Sequence, residues 1–181
     1  FAGAPGEILY IAARPADQSV YIEKPVAFTA SSPNGHATAF TWQYFNGSAW
    51  VDIAGLPGWT VTVSGSTSTL RHPGPTSGLQ VRAVIVGAVS TAGRFAANLV
   101  VKQRRILRVD TAVASPGNGS AWSSAYATLD AAMAQADEGT DIWMAAGDYR
   151  PTVYLTFVNG ARVYGGFAGT AAVFSVAGDR E

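Results

Sequence analysis

The chemistry this sequence could perform rests on few side chains: two histidines, a handful of acids near residue 140, and a short basic run. His36 and His72 both fall in turn-like segments rich in glycine and proline. A metal or triad role would need partners at set spacings, and the chain has no cysteine, no HExxH and no GxSxG. Both therefore read as surface histidines. Gly165 to Gly169 spell GGFAG, but the spacing and the Lys-Ser/Thr of a phosphate loop are missing. Glycine at a tight turn explains that run. Lys102, Arg104, Arg105 and Arg108 form a basic cluster, and a solvated linker face is its default reading, with weak anion binding as the functional one. Trp50 and Trp59 flank turns, where a flat ring could stack on a sugar, although packing along a sheet edge is favoured. From these residues no catalytic group, no metal site and no cofactor is assigned, and the ligand-binding residues stay unknown.

The elements that would position any such group come from composition and periodicity. Of 181 residues, 48% are apolar and 13% charged, against roughly 25% charged in soluble domains generally. Twenty glycines and nine prolines are spread along the chain, which suits many short strands joined by tight turns. Lys plus Arg equals Asp plus Glu at 12 each, so nothing electrostatic points to nucleic acid or to an anionic membrane. The absence of cysteine excludes disulfides and thiolate chemistry. No apolar run approaches the ~20 residues of a membrane span. The chain begins at Phe1, so any targeting sequence is expected to lie outside it.

Period two dominates residues 7–102. Ile8, Tyr10 and Ala12 alternate in a first expected strand, then Val26, Phe28 and Ala30, then Phe40, Trp42 and Tyr44. Asn46-Gly47 is a hairpin signal, followed by Val61 and Val63, by Leu79, Val81, Ala83 and Ile85, and by a last strand near Arg94 to Val101. Pro33-Asn34-Gly35, Gly55 to Gly58 and Pro73-Gly74-Pro75 punctuate these runs at sandwich spacing. VAFTASSPNGHATAFTWQYFNGSAWVDI and TLRHPGPTSGLQVRAVIVG resemble strands B, C and C′, then E and F, of the immunoglobulin-like domains of bacterial surface proteins. The resemblance places Ala30 and Ala83 where such domains carry the inter-sheet cysteines, Trp42 as the core tryptophan, and Val81 in place of the corner tyrosine. It implies a sandwich held by apolar packing alone.

Beyond Lys102 the pattern changes. Ile106 to Val109 is a short strand, and Ser115 to Ser120 a Gly/Ser/Asn loop. Ala125, Leu129, Ala132, Met133 and Ala136 then form one helical stripe, capped by Ser123 or Ser124 and closed by Gly139. Strands are expected again over Asp141 to Ala145 and about Ala161 to Phe167, with a turn at Gly147-Asp148. ILRVDTAVASPGNGSAWSSAYATLDAAMAQADEGTDIWMAAGDYRPT followed by VNGARVYGGFAGT resembles the N-terminal end of the right-handed parallel β-helix proteins of bacteria, the pectate-lyase-like superfamily. In that family such a helix covers the first coil, and WMAAGDY and VYGGF would supply coil strands.

The expected fold is mainly β, an immunoglobulin-like β-sandwich over 1–102 followed by the start of a parallel β-helix with one capping α-helix over 103–181. Many β-helix enzymes use paired acids, or acids with calcium, on acidic polysaccharides, which makes Asp137, Glu138, Asp141 and Asp148 the candidates. The family places such acids on central coils, so a structural role is preferred here. In a bacterial protein, Asn-Gly-Ser at 46 and 118 reads as turn chemistry and not as glycosylation. The expected function is a non-catalytic structural or adhesive module of a bacterial extracellular or cell-surface protein. The alternative is the accessory and capping region of a polysaccharide-active β-helix lyase or glycoside hydrolase. Expected partners are cell-surface or extracellular polysaccharide or protein, or a second copy through an open β-helix end.

Overall fold

The structure, a computed structural model, describes residues 9–32, 37–87 and 92–169. The chain divides into two compact units, Phe1–Lys102 and Gln103–Glu181.

Among its described residues the first unit contains eight strands: β1 (Gln18–Tyr21), β2 (Val26–Ser31), β3 (Ala37–Phe45), β4 (Trp50–Asp52), β5 (Thr60–Ser64), β6 (Thr67–His72), β7 (Leu79–Gly87) and β8 (Ala92–Lys102). They form a five-stranded sheet in the order β1-β8-β7-β3-β4 and a three-stranded sheet in the order β2-β6-β5. All pairs are antiparallel except β1 with β8. The chain changes sheet between β1 and β2, between β2 and β3, between β4 and β5, and between β6 and β7. That Greek-key order is an immunoglobulin-like sandwich. Alternation drives it: Val26, Phe28 and Ala30 are buried while Ala27 and Thr29 are exposed, and Val81, Ala83 and Ile85 are buried on β7.

Trp42 fixes how the sheets meet. It lies beside Ala83 across the β3–β7 ladder, and its indole Nε1 donates to Ser68 Oγ on the opposite sheet at 2.9 Å. Ser68 is in turn the ladder partner of Ala30. Trp42, Ala30 and Ala83 thus belong to one buried cluster, with Phe28, Leu70 and Ile53. A hydrogen bond matters at this depth, because a buried N–H without an acceptor costs about 1–3 kcal/mol.

The structure differs from expectation at the first strand. Ala12 and Ala13 make only short backbone bonds to Ser31, and the strand in this region is β1, five residues further on. Pro15 explains the switch: it has no N–H to give to a ladder, so the chain leaves β2 and pairs with β8 instead. Ile8, the Pro33-Asn34-Gly35 turn and His36 lie outside the described residues.

The second unit contains β9 (Arg105–Val109), α1 (Leu129–Met133), β10 (Thr140–Ala145) and β11 (Arg162–Phe167). The three strands are parallel and lie in chain order, β9 beside β10 beside β11. Leu107, Ile142 and Val163 form one transverse row, and Arg108, Trp143 and Tyr164 the next. Leu107 and Ile142 of the first row lie in the core that α1 covers with Leu129, Ala132 and Met133, whereas Val163 is exposed. The helix is shorter than its stripe suggests. Thr128, not Ser123 or Ser124, caps it, accepting from Ala131 N. Ala125 is buried, but it sits in extended backbone just before Tyr126, which pairs with Val109 in parallel. Pairing with the sheet thus overrides the helical period there. Among the described residues the parallel part amounts to these three strands.

Candidate functional site

The residues singled out for chemistry are dispersed, and most are committed to structure. His72, at the end of β6, accepts the Gly74 N–H on Nδ1 at 3.0 Å and meets the Trp59 ring at 5.0 Å. Trp59 also packs against Phe28, so it belongs to the sandwich edge. Trp50 on β4 has the Arg82 guanidinium 4.3 Å from its ring and Phe45 tilted beside it at 5.5 Å. Arg82 thus lies over the Trp50 ring, and Phe28 and His72 both contact Trp59. The two Asn-Gly-Ser triplets are turns: Asn46 accepts from Ser48 N and Ala49 N, and Asn118 from Ser120 N and Oγ.

The basic cluster is solvated at Lys102 and Arg105, which are exposed, but not at Arg104. Arg104 is only 6% exposed, and its Nε donates to Asp141 Oδ1 at 2.8 Å. Its Nη1 donates to Glu138 O, and its Nη2 to Thr140 O at 2.9 Å and Gly160 O at 2.8 Å. One guanidinium therefore ties the start of β10 to the turn before β11. Arg105 reaches Gln135 O and Thr140 Oγ1, with Asp137 at 3.8 Å. Arg108 donates to Ser120 O and lies 5.5 Å from the Trp143 ring and 5.8 Å from Trp122. Trp143 in turn stacks on Phe167 at 4.7 Å with an 8° interplanar angle. Lys102, in the first unit, rests over Tyr21. Sequence could not show this, because charge is legible there and burial is not. The one available signal was that Arg104 immediately precedes a strand whose neighbour begins Thr140-Asp141.

The acids divide in the same way. Asp141 answers Arg104, while Asp148 pairs with Arg150 in the open at 2.7 Å. Asp137 accepts from Thr140 Oγ1 at 2.7 Å and from Gly139 N at 3.0 Å. The Thr140 hydrogen bond, above all, lowers its pKa; burial opposes, and Gly139 N–H and Arg105 add to the lowering. A depressed carboxylate stabilises the fold above its unfolded pKa, and that stability is lost as pH falls through the folded value. This direction is the opposite of what a general acid needs.

A cleft of about 190 Å³ is lined by residues including Thr111, Thr128, Asp130, Asp148, Tyr149 and Arg150. Asp130 Oδ2 there accepts from Thr152 N and Oγ1, both at 3.0 Å. Among the described residues no three metal-capable side chains come together. Tyr149 closes the cleft floor, its hydroxyl placed 2.9 Å from Ala145 O and 3.1 Å from Val109 O. Burial raises its pKa, and the Asp110 charge adds to the rise. Stability from Tyr149 is therefore full below the unfolded tyrosine pKa and lost as pH rises through the folded one. Tyr149→Phe is expected to cost about 1 kcal/mol, one hydrogen bond's worth. It should also remove part of the alkaline loss, which urea titrations at neutral and alkaline pH will read.

In GGFAG, Gly166 and Gly169 take positive φ. A Cβ on Gly169 would lie 2.5 Å from Asp110 Oδ2, so close approach explains that glycine. No helix among the described residues is long and apolar enough to cross a membrane.

No protein-family model matches the chain, and no curated protein does. Solved structures do. A chimeric titin Z1Z2 carrying a KLER peptide from decorin aligns over 51% of this chain and 91% of its own, at 19% identity and a TM-score of 0.45. The N-terminal Ig1-2 module of the Drosophila receptor protein tyrosine phosphatase DLAR aligns over 58% of this chain and 60% of its own, at 18% identity and 0.43. Titin domain I10 aligns along its whole length with 53% of this chain, at 18% identity and 0.41. The chain thus spans less than two thirds of the DLAR module.

Proposed function

We propose that this chain is a non-catalytic structural or adhesive module of a bacterial extracellular or cell-surface protein. In this reading residues 1–102 are a presenting sandwich, and residues 103–181 the capped first rungs of a parallel β-helix. The observation that carries it is the row Leu107–Ile142–Val163. Leu107 and Ile142 are 3% and 0% exposed, whereas Val163 on the last rung is 36% exposed. An inward row whose burial falls at its final strand is what a stacked coil shows where its next rung would lie. Strands stacked in parallel and in chain order support the same reading, as does α1 lying over the inward row at the first rungs. The bacterial and extracellular assignment is supported by the sequence resemblance of both halves.

The reading predicts no turnover. With pectate or alginate, with and without calcium, the 181-residue chain should release no more reducing ends or unsaturated products than a blank. Product abolished by Asp148→Asn would instead make this the accessory and capping region of a polysaccharide-active enzyme. Geometry supports inactivity: Asp141 is locked to Arg104, Asp137 is held as a carboxylate, and Asp148 stands exposed with Arg150.

A further inference from the structure

The outer face of the five-stranded sheet carries two arginines that no described carboxylate answers. Arg82 on β7 and Arg94 on β8 both alternate with inward residues, Val81 and Ala83 for the first, Phe95 for the second. Neither makes an ion pair with a described residue. Asp52, on the same face, accepts from Ala54 N on Oδ1 and forms no ion pair with either arginine. Arg82 is already positioned: its Nε donates to Gln43 Oε1 at 2.8 Å, and its guanidinium lies over Trp50. A fixed guanidinium loses little entropy on taking a carboxylate through its remaining N–H groups. Partial burial, then the neighbouring charge of Arg94, lowers the Arg82 pKa, so the pair is mutually unfavourable until an anion arrives. Half-buried Val84 is the ladder partner of Arg94, and Phe45, 38% exposed, packs beside the Trp50 ring that Arg82 covers.

We infer that this face docks an acidic polypeptide segment, its carboxylates held by Arg82 and Arg94 and its apolar side chains laid over Phe45 and Val84. Charge complementarity selects an acidic partner, since the described cations of this face lack counterions. The apolar surround favours a polypeptide over an acidic polysaccharide. Sugar rings need an open aromatic face, and Trp50 is covered by Arg82 and flanked by Phe45. The inference rests on the presenting role of the sandwich proposed above, and it uses no residue of the second unit.

The test is fluorescence anisotropy at low ionic strength, titrating the full chain into a labelled peptide of repeating Glu-Glu-Leu. Saturable binding is expected, weakened about tenfold or more in Arg82→Gln/Arg94→Gln, the scale of a lost charge-assisted contact. Arg71→Gln, on β6 in the other sheet, should leave it unchanged. No saturable binding, an equal loss with Arg71→Gln, or tighter binding of polygalacturonate than of the peptide would each overturn the inference. Turnover of polysaccharide is a separate readout, so the presenting role and this surface can fail independently.

Discussion

Trp42→Ala is expected to lower the stability of the sandwich by about 3–5 kcal/mol, the range for deleting a large buried aromatic. Trp42 is 1% exposed and spans the space between the sheets, so its loss leaves a cavity lined by Phe28, Ala30, Leu70 and Ala83, none of which can grow to fill it. The variant also strands the Ser68 hydroxyl, buried and deprived of the indole N–H. Trp42→Phe separates the two effects. It keeps most of the ring and removes only the hydrogen bond, so about 1–2 kcal/mol is expected from the stranded hydroxyl and the smaller side chain. Urea midpoints of the three proteins read both numbers. An unchanged midpoint in Trp42→Ala would contradict the placement of this residue between the sheets. The effect is large because the sandwich has no disulfide to share the load: Ala83 is Trp42's own ladder partner, and Ala30 is that of Ser68.

Arg104→Met should cost the second unit about 3 kcal/mol or more, since removing one member of a buried pair leaves the other uncompensated. Asp141 is 16% exposed at its side chain, which lets water take up part of that charge and holds the loss near the lower end of the usual range. Three carbonyl oxygens, of Glu138, Thr140 and Gly160, lose a donor in the same step. Arg104→Met/Asp141→Leu removes both charges, and it should recover a measurable part of the loss. The double-mutant cycle isolates the coupling between the two side chains. A double variant no better than Arg104→Met would show that the carbonyl contacts, not the ion pair, carry the stability.

How far the sequence showed these features depends on what each residue reveals by type. The alternation of Val26, Phe28 and Ala30, and of Val81, Ala83 and Ile85, is a burial pattern written in residue types, and both strands are found where it places them. Strand β1 was hidden because Gln-Ser-Val-Tyr has no alternating apolar set; it exists through parallel bonds to β8, which are non-local. The helical stripe from Ala125 was legible as period, but Tyr126 finds a better partner in Val109, and a five-residue helix remains. The basic run was read by charge alone. What decides its role is register: Arg105 pairs with Thr140 on β10, which brings the preceding Arg104 to Asp141 and to three carbonyls. Trp50 and Trp59 each pack against a residue distant in sequence, Arg82 and Phe28.

If the parallel strands are rungs of a coil and not part of a closed domain, the second unit should accept an added rung. Asp141 pairs with Arg162, so residues 141–161 span one register repeat, and a second copy of them inserted between Ala161 and Arg162 adds one complete turn. In a stacked coil each repeat contacts only its neighbours, and an extra rung extends the core without disturbing what flanks it. Thermal unfolding of the lengthened chain, followed by far-ultraviolet circular dichroism with limited proteolysis, gives the answer. The account predicts added strand signal, a protease-resistant insert and a midpoint equal to or above that of the parent chain. An insert that is cleaved as loop, with strand signal unchanged and the midpoint lowered, would contradict it.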